Sequence, residues 1–580
     1  MKIFLVGLGG IGMSALAQLL RHQGHEVAGS DRDLTTPAQV ELFTKLAKQG
    51  IRAYPQDGSG IHDFAPERLI YSTAIENDNP DFAAAPETPK IHRAAALAEA
   101  IAASGLPQIA VAGSCGKTSV TGWIGSCLSA LGKDPCVING GYGRDFISDT
   151  LPGNFRPGSG CIVFEADESD GSLVTFSPEV ALLLNIGDDH YDEAKLKQLF
   201  RTFLGRARRG VAVNALLADL APAGVPVVRF VEEPEGAASG EALRALELKH
   251  GPSGLEFRLE NGPQIKTQQW GRHSASNALA VLAALQAFGI APEQASGALF
   301  AFTGVRRRFE AKGLRGQVRI YDDYAHNPQK IAAIVRTGQE ISPAKAIFVF
   351  QPHGFKPLRD MREPLLRELK ACLRPQDRFF FLPVFYAGGT TSFQPSADAV
   401  VAEYAAAGLP VELLKARADL EPVLDVERAA KVCIVLGARD PSLIDWTDAL
   451  GKQKMISEMS VYDKNSAMLT KFGDILTANP EASSEFISLV KFDMAVKNGG
   501  VMCYLDMGFD GYEKIGEFAK REKSNDLLQI FTALDKIIKK HKGDIDAIGE
   551  HEDEKLDKLT NRYYEIQDAI TELVFSRFCQ

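Results

Sequence analysis

Lys117 and Thr118 follow glycines 113 and 116 in the run Val111-Ala-Gly-Ser-Cys-Gly-Lys-Thr-Ser-Val-Thr121. Those types at that spacing suit a polyphosphate. Glycines let backbone N–H groups turn toward an anion, and a helix N-terminus adds partial positive charge. Lys117 brings a full charge for the β- and γ-phosphates, and the Thr118 hydroxyl suits Mg²⁺. Gly113, Ser114, Cys115, Gly116 and Ser119 complete the candidate nucleotide loop. The general phosphate-loop pattern asks for a glycine five places before Gly116, where this chain has Val111, so that pattern is not met. A second glycine run, Gly7-Leu-Gly-Gly-Ile-Gly12, has Asp31 about 20 residues on, where an acidic side chain can hold a ribose hydroxyl. Gly9, Gly10 and Gly12 let a phosphorylated ligand approach the backbone. The pattern by itself does not separate NAD from a UDP-sugar.

Both runs need a strand before them and a helix after. Gln108-Ile-Ala-Val-Ala112 reads as a buried strand, and the proline-free stretch from Lys117 to Leu131 as a helix. Lys2–Val6 predicts a strand, followed by a helix to about Gln23 and a strand over Glu26–Ser30. Glu165 and His190 each sit just past an apolar strand, at the carboxyl edge where α/β sheets bind ligands. A carboxylate and an imidazole there suit a divalent metal; a salt-bridged glutamate and a hydrogen-bonded histidine are the plainer alternative. His273 and Asn277, four apart, share one helix face. In the basic run Arg306-Arg-Arg308 at least the first two residues read as a solvated face. Strands over Ala346–Gln351, Arg378–Leu382 and Lys431–Leu436, alternating with helices, predict a doubly wound sheet.

These motifs, with others in the same order, resemble the Mur ligase family, in particular its UDP-N-acetylmuramate–L-alanine ligases. The likeness rests on Gly113-x-x-Gly-Lys-Thr118, Gly7-x-Gly-Gly-x-Gly-Met-Ser14, Ser72-Thr-Ala-Ile75 with Asn79-Pro80, and His92-Arg93. It continues through Glu165-Ala-Asp-Glu-Ser-Asp170, Asn185-Ile-Gly-Asp-Asp-His190 and Gly271-Arg-His-Ser-Ala-Ser-Asn277. Gly304-Val-Arg-Arg-Arg-Phe-Glu310, Asp322-Asp-Tyr-Ala-His-Asn-Pro328 and Gln351-Pro-His353 complete it. The resemblance implies an ATP-dependent ligase joining an amino acid to the lactyl carboxylate of UDP-N-acetylmuramic acid through an acyl phosphate. It implies that Lys117, Glu165, His190 and Arg308 serve catalysis, and that Thr118, Glu165 and His190 hold Mg²⁺. It assigns His273, Asn277, Arg308 and Asp323 to ATP. Gly9, Gly10, Gly12, Asp31, Ser72 and Arg93 go to the UDP-sugar, and His326 and His353 to the amino-acid side. Cys115 stands where the family usually has histidine; a thiol at a helix N-terminus beside Lys117 has grounds for reactivity. Gly354, Pro357 and Thr390 replace charged residues of the family's acceptor pocket. Lys356 and Arg359 are the nearby cations that could take over, or the acceptor differs from free L-alanine.

The implied architecture is α/β: a Rossmann-like UDP-binding domain over 1–104, a central P-loop ATPase domain over 105–305 and a doubly wound domain over 306–452. An all-α domain over 453–580 follows. Composition changes there, since Pro480 is the only proline beyond residue 452. Leu527, Phe531, Leu534 and Ile538, then Leu556, Leu559, Tyr563, Ile566, Ile570 and Leu573, step by threes and fours as amphipathic helices do. This tail resembles a bacterial domain of unknown function that includes a DNA-mimic protein. It shows no catalytic constellation and reads as a binding or regulatory module for a protein partner. A net charge of −10 argues against general nucleic-acid binding. The eight cysteines form no CxxC pair and suit reduced thiols. No run approaches the ~18 apolar residues of a membrane span, and glycines 7, 9, 10 and 12 spoil a signal-peptide core, so the expected location is the cytoplasm. A nicotinamide-dependent oxidoreductase, or a degenerate ligase kept for its tail, are the competing readings.

Overall fold

The computed structural model describes residues 1–168, 172–187, 193–232, 241–251, 253–386 and 393–451. In the tail it describes 488, 489, 492, 496, 501, 505, 512–541, 544, 548, 552, 554–563, 565 and 566. Residues 1–312 and 317–449 form one compact unit, and the tail from Leu450 belongs to a second.

Three sheets build the first unit. The five-stranded sheet runs in the order Arg52–Pro55, Glu26–Asp31, Lys2–Val6, Arg68–Tyr71, Lys90–His92, and every pair is parallel. Lys2–Val6, at its centre, is buried from Ile3 onward, as expected of an apolar strand covered on both faces. The ten-stranded sheet places Val180–Leu183 and Cys161–Glu165 on either side of Gln108–Ala112, all parallel. Two antiparallel pairings at its far edge join Leu243–His250, Leu255–Leu259 and Gln264–Lys266. In the six-stranded sheet Val432–Leu436 lies between Val318–Asp323 and Ile347–Phe350, again parallel.

Parallel strands bring their carboxyl ends to one edge, so the loops after Ala112, Glu165 and Leu183 open side by side. The helix Lys117–Ala130 covers one face of the middle sheet and is buried almost all round. Trp123 fixes its rotation, stacking on Phe302 at 5.1 Å and donating from Nε1 to the Leu299 carbonyl at 2.9 Å. The helix Arg272–Ala287 packs in the same core through Ala275, Leu279, Leu282 and Leu285. On the opposite face Glu193–Leu204 inserts Leu196, Phe200, Phe203 and Leu204. Burial of each such side chain contributes roughly 1.5–3 kcal/mol.

The tail has its own core, in which Leu527, Phe531 and Leu534 of the helix Asn525–Lys540 meet Phe492, Phe518, Leu556 and Tyr563. Tyr512–Arg521 is a further helix. The apolar steps read from the sequence are therefore helical through Ile566; Ile570 and Leu573 lie outside the described residues. Among the described residues no helix is long and apolar enough to cross a membrane.

Candidate functional site

The loop between the strand Gln108–Ala112 and the helix Lys117–Ala130 turns on two glycines, Gly113 at φ 134° and Gly116 at φ 91°. A side chain at Gly116 would be strained there, and its Cβ would come within 3.0 Å of Asn277 Oδ1. Lys117 folds back over the loop. Its Nζ donates to the Gly113 carbonyl at 2.8 Å and to Glu168 Oε2 at 2.7 Å, with Asp167 Oδ1 at 3.9 Å. Burial works against the ammonium charge, but Glu168 and Asp167 outweigh it and the lysine pKa is raised. The lysine is thus held charged and aimed across the loop.

Thr118 Oγ1 donates to Glu165 Oε2 at 3.3 Å, and the Gly140 N–H donates to Glu165 Oε1. Burial raises the Glu165 pKa, opposed by the Gly140 N–H, Lys117 and Arg308. Two residues of the nucleotide loop are tied to the next strand end. Asn185 Oδ1 accepts from the Cys115 N–H at 2.8 Å, while Nδ2 donates to the Cys115 carbonyl at 3.0 Å. Ser114 N–H donates to the Asn185 carbonyl at 3.2 Å, and Ser114 Oγ accepts from the Gly187 N–H at 2.9 Å. Cys115 itself is exposed, and Ser119 is half-buried on the first helical turn. His190 lies outside the described residues.

The first glycine run is built differently. Gly9 N–H donates to Asp31 Oδ2 at 2.7 Å, so the acidic side chain closes the loop on the neighbouring strand. Arg93 opens the helix Arg93–Ser104 and lies over Gly12, where a Cβ would be 3.0 Å from its Nη1. Ser72 follows the strand Arg68–Tyr71, and Ile75 in the same loop reaches Gly7. Gly10 caps the helix Ile11–His22. The five sugar-side positions other than Ser72 are thereby gathered at one loop, with Ser72 at the adjacent strand end.

On the third sheet the basic run divides. Arg307 is not a solvated residue: it is 8 % exposed, with Nε on Asp322 Oδ2 at 3.1 Å and its Nη atoms on the Gly437 and Ala438 carbonyls at 2.8 and 3.0 Å. A buried ion pair fully hydrogen-bonded in this way is costly to break, at roughly 3–5 kcal/mol. The sequence could not separate it from its neighbours because the partners lie up to 131 positions away. Arg308 stands over the Tyr324 ring at 5.3 Å and acts on both Glu165 and Asp323. Asp323 accepts from the Phe309 and Ala325 N–H groups, each at 2.7 Å; burial raises its pKa, and Arg308 opposes the rise. His273 and Asn277 share their helix face but meet different neighbours. Asn277 touches the nucleotide loop, and His273 Nδ1 is 3.2 Å from Thr337 Oγ1.

His326 and His353 lie edge to face at 5.2 Å. His326 Nδ1 is bonded to the Tyr324 carbonyl at 2.8 Å, whereas His353 Nδ1 is buried with no hydrogen-bond partner among the described residues. Burial, then His326 and Arg439, pull the His353 pKa down to about 4. Lys356 and Arg359 are both exposed, and Arg359 pairs with Asp360 at 3.3 Å. Thr390 lies outside the described residues.

A cavity of about 410 Å³ opens where the three sheets' loops meet, lined among others by Gly9, Gly140, Arg306, Arg308, Tyr324 and Arg439. Lys356 and Arg359 are not among its lining residues. Residues not singled out from the sequence therefore matter: Glu168 and Asn185 lay inside noted motifs, and Gly140 in Asn139-Gly-Gly141, but nothing local marked them. Arg439 carried no signal beyond its charge.

Comparisons with known proteins cover the same ground. Family models match in three places: "Mur ligase family, catalytic domain" over 2–104, "Mur ligase middle domain" over 111–285, and "Mur ligase, glutamate ligase domain" over 307–444. The chain is 31 % identical over 476 residues to a UDP-N-acetylmuramate–L-alanine ligase of Chelativorans sp. (strain BNC1), covering 78 % of this chain and 97 % of that protein. It is 31 % identical to the ligase of that name from Rhizobium meliloti (strain 1021), over 78 % of this chain and 96 % of that one. A crystal structure of UDP-N-acetylmuramate–alanine ligase from Thermotoga maritima superimposes with a TM-score of 0.61 at 25 % identity, covering 77 % of this chain and 97 % of the other.

Proposed function

The chain belongs to the Mur ligase family and is an ATP-dependent ligase of peptidoglycan precursor synthesis; on that premise we infer that it joins an amino acid to the lactyl carboxylate of UDP-N-acetylmuramic acid through an acyl phosphate. The observation that carries this reading is Lys117, charged and half-buried between the Gly113 carbonyl and Glu168, with Arg308 acting on Glu165 beside it.

In the first step a carboxylate oxygen attacks the γ-phosphorus of ATP, and ADP leaves. Two anions must meet, so the task is positioning and charge neutralisation. Lys117 and Arg308 supply the charge, and glycines 113 and 116 let the phosphates approach the loop backbone. Asn185 keeps Cys115 in place, and Asn277 and Asp323 border the nucleotide's side of the site, with His273 one helical turn away. In the second step the amine nitrogen attacks the acyl carbon, the C–N bond forms and phosphate departs. His353, neutral above about pH 4, and His326 border that side.

Glu165 and the Thr118 hydroxyl fit Mg²⁺, an ion that takes oxygen ligands. Burial alone raises the Glu165 pKa, and a cation would relieve it; His190 belongs to the same proposed set. Bound there, Mg²⁺ would neutralise phosphate charge. Gly9, Gly10, Gly12, Asp31, Ser72 and Arg93 take the UDP-sugar in this reading. The partition 1–104, 105–305, 306–452 and 453–580 is supported by the three sheets and by the family matches. For the tail we keep a helical binding module, similar to the domain that includes a DNA-mimic protein, with a protein partner and no nucleic acid or membrane. Its separate core supports that, and the cytoplasm is the compartment that ATP and the sugar nucleotide require. A nicotinamide enzyme would leave the Lys117 loop without a task.

Phosphate release by purified protein, with ATP and each of UDP-N-acetylmuramic acid and an amino acid added singly and together, tests the reading. Release that needs both acceptors is expected; release indifferent to the sugar nucleotide contradicts it.

A further inference from the structure

Four arginines border the central cavity, and their neighbours sort them; Arg307 is tied to Asp322. Arg308 acts on Glu165 and Asp323, the nucleotide side. Arg306 acts on Glu41 and Tyr142, and its N–H donates to the Tyr142 carbonyl at 2.9 Å, so it faces the first two domains. Arg439 is exposed into the cavity from the loop after Val432–Leu436 and lies near His353.

The backbone around Arg439 is pinned on both sides. Before it, the Gly437 and Ala438 carbonyls accept from the buried Arg307. After it, Asp440 is held by Arg417 and accepts from the Ser442 N–H at 3.0 Å. The adjacent carboxylate is therefore already neutralised, and Arg439 has no ion-pair partner among the described residues. A guanidinium carried on a pinned backbone and open to a cavity is suited to bidentate capture of a carboxylate. His353 follows the neighbouring parallel strand Ile347–Phe350, outside the cavity's lining residues, and its Nδ1 is buried and unpartnered among the described residues, a polar atom left for a ligand.

Three anions must be held besides the nucleotide's: the sugar diphosphate, the lactyl carboxylate and the α-carboxylate of the amino acid. The first two arrive on the UDP-sugar, beside Gly9 and Arg306. An acceptor carboxylate left unpaired in a closing site is costly, and neither Lys356 nor Arg359 lines the cavity. We propose that Arg439 holds the α-carboxylate of the incoming amino acid and thereby sets it beside the histidine pair. This rests on the ligase reading above.

The test pairs L-alanine with L-alaninamide, which lacks the carboxylate, and uses hydroxylamine to trap the acyl phosphate. Hydroxamate formation by the unaltered enzyme, with ATP and UDP-N-acetylmuramic acid, establishes the first step; its absence removes the ligase reading and this proposal together. Given hydroxamate, the expected result is a kcat/KM preference for L-alanine over its amide that falls about 10- to 100-fold in Arg439→Ala, through KM for L-alanine. Arg439→Lys should restore part of it. An unchanged preference, equal use of the two acceptors by the unaltered enzyme, hydroxamate without any L-alanyl product, or a rise confined to KM for the UDP-sugar would each overturn the assignment.

Discussion

The two glycine loops look alike in sequence and differ in what closes them. Each follows a central buried strand and opens a helix, Ile11–His22 in one case and Lys117–Ala130 in the other. The first is closed by an anion, Asp31, which takes the Gly9 N–H at 2.7 Å. The second is closed by a neutral amide, Asn185, and crossed by a charged lysine whose counter-ion is Glu168. A loop that has spent an N–H on a carboxylate keeps less positive potential for phosphate. One strapped by an amide also spends N–H groups, those of Ser114 and Cys115, but on a neutral residue, and it adds an ammonium. The glycines therefore license close approach in both places, and the groups around them decide whether a ligand is merely held or its phosphate is made to react.

The largest effect should follow from taking that lysine away. Lys117→Ala is expected to lower ligation by about 10²–10³, as loss of one preorganised charge does, while calorimetry finds UDP-sugar binding close to normal. Near-wild-type turnover would make the two loops equivalent. In the first loop a Cβ at Gly9 would meet Gln39 Oε1 at 2.7 Å and Asp31 Oδ2 at 2.8 Å, disturbing the Gly9–Asp31 bond. Gly9→Ala should raise KM for the UDP-sugar on the order of 10-fold, the worth of a hydrogen bond to a charged group. KM for ATP should stay within about twofold; a shared rise in both would show that the loops act as one.

A smaller change is expected from the strap. Asn185→Ala removes two hydrogen bonds from Cys115, each worth about 0.5 kcal/mol at the low end for neutral groups, and should raise KM for ATP by about fivefold with the sugar's unchanged. Steady-state kinetics with each substrate varied checks it, and an unaltered ATP term would mean that the loop holds its shape alone. The smallest effect belongs to the region with neither loop. Removal of residues 453–580 should leave kcat/KM within about twofold, because among the described residues the tail has a buried cluster of its own. Loss of soluble protein on truncation would show that the tail completes the fold.

The tail shows both the reach and the limit of periodicity. Its steps of three and four marked the helix Asn525–Lys540, because an amphipathic stripe is local information. The same applies to the strand–glycine–helix runs and to the motif order that identifies the family. Ordinary spacing could not tell Arg307 from Arg308, since adjacent residues on a loop share composition and differ only in what they meet.

By itself, then, the sequence determined where strands turn into glycine loops, which side chains could neutralise phosphate, and which family the first 450 or so residues resemble. Only the tertiary structure decided that Arg307 is a buried tie to Asp322, that Asn185 straps a loop 70 positions away, and that Arg439 rather than Arg359 faces the cavity. The reason is sheet order. Val180–Leu183 becomes the neighbour of Gln108–Ala112, and Val432–Leu436 is inserted beside Val318–Asp323, by parallel pairing across long crossovers. Side chains at those strand ends acquire partners that no local pattern encodes.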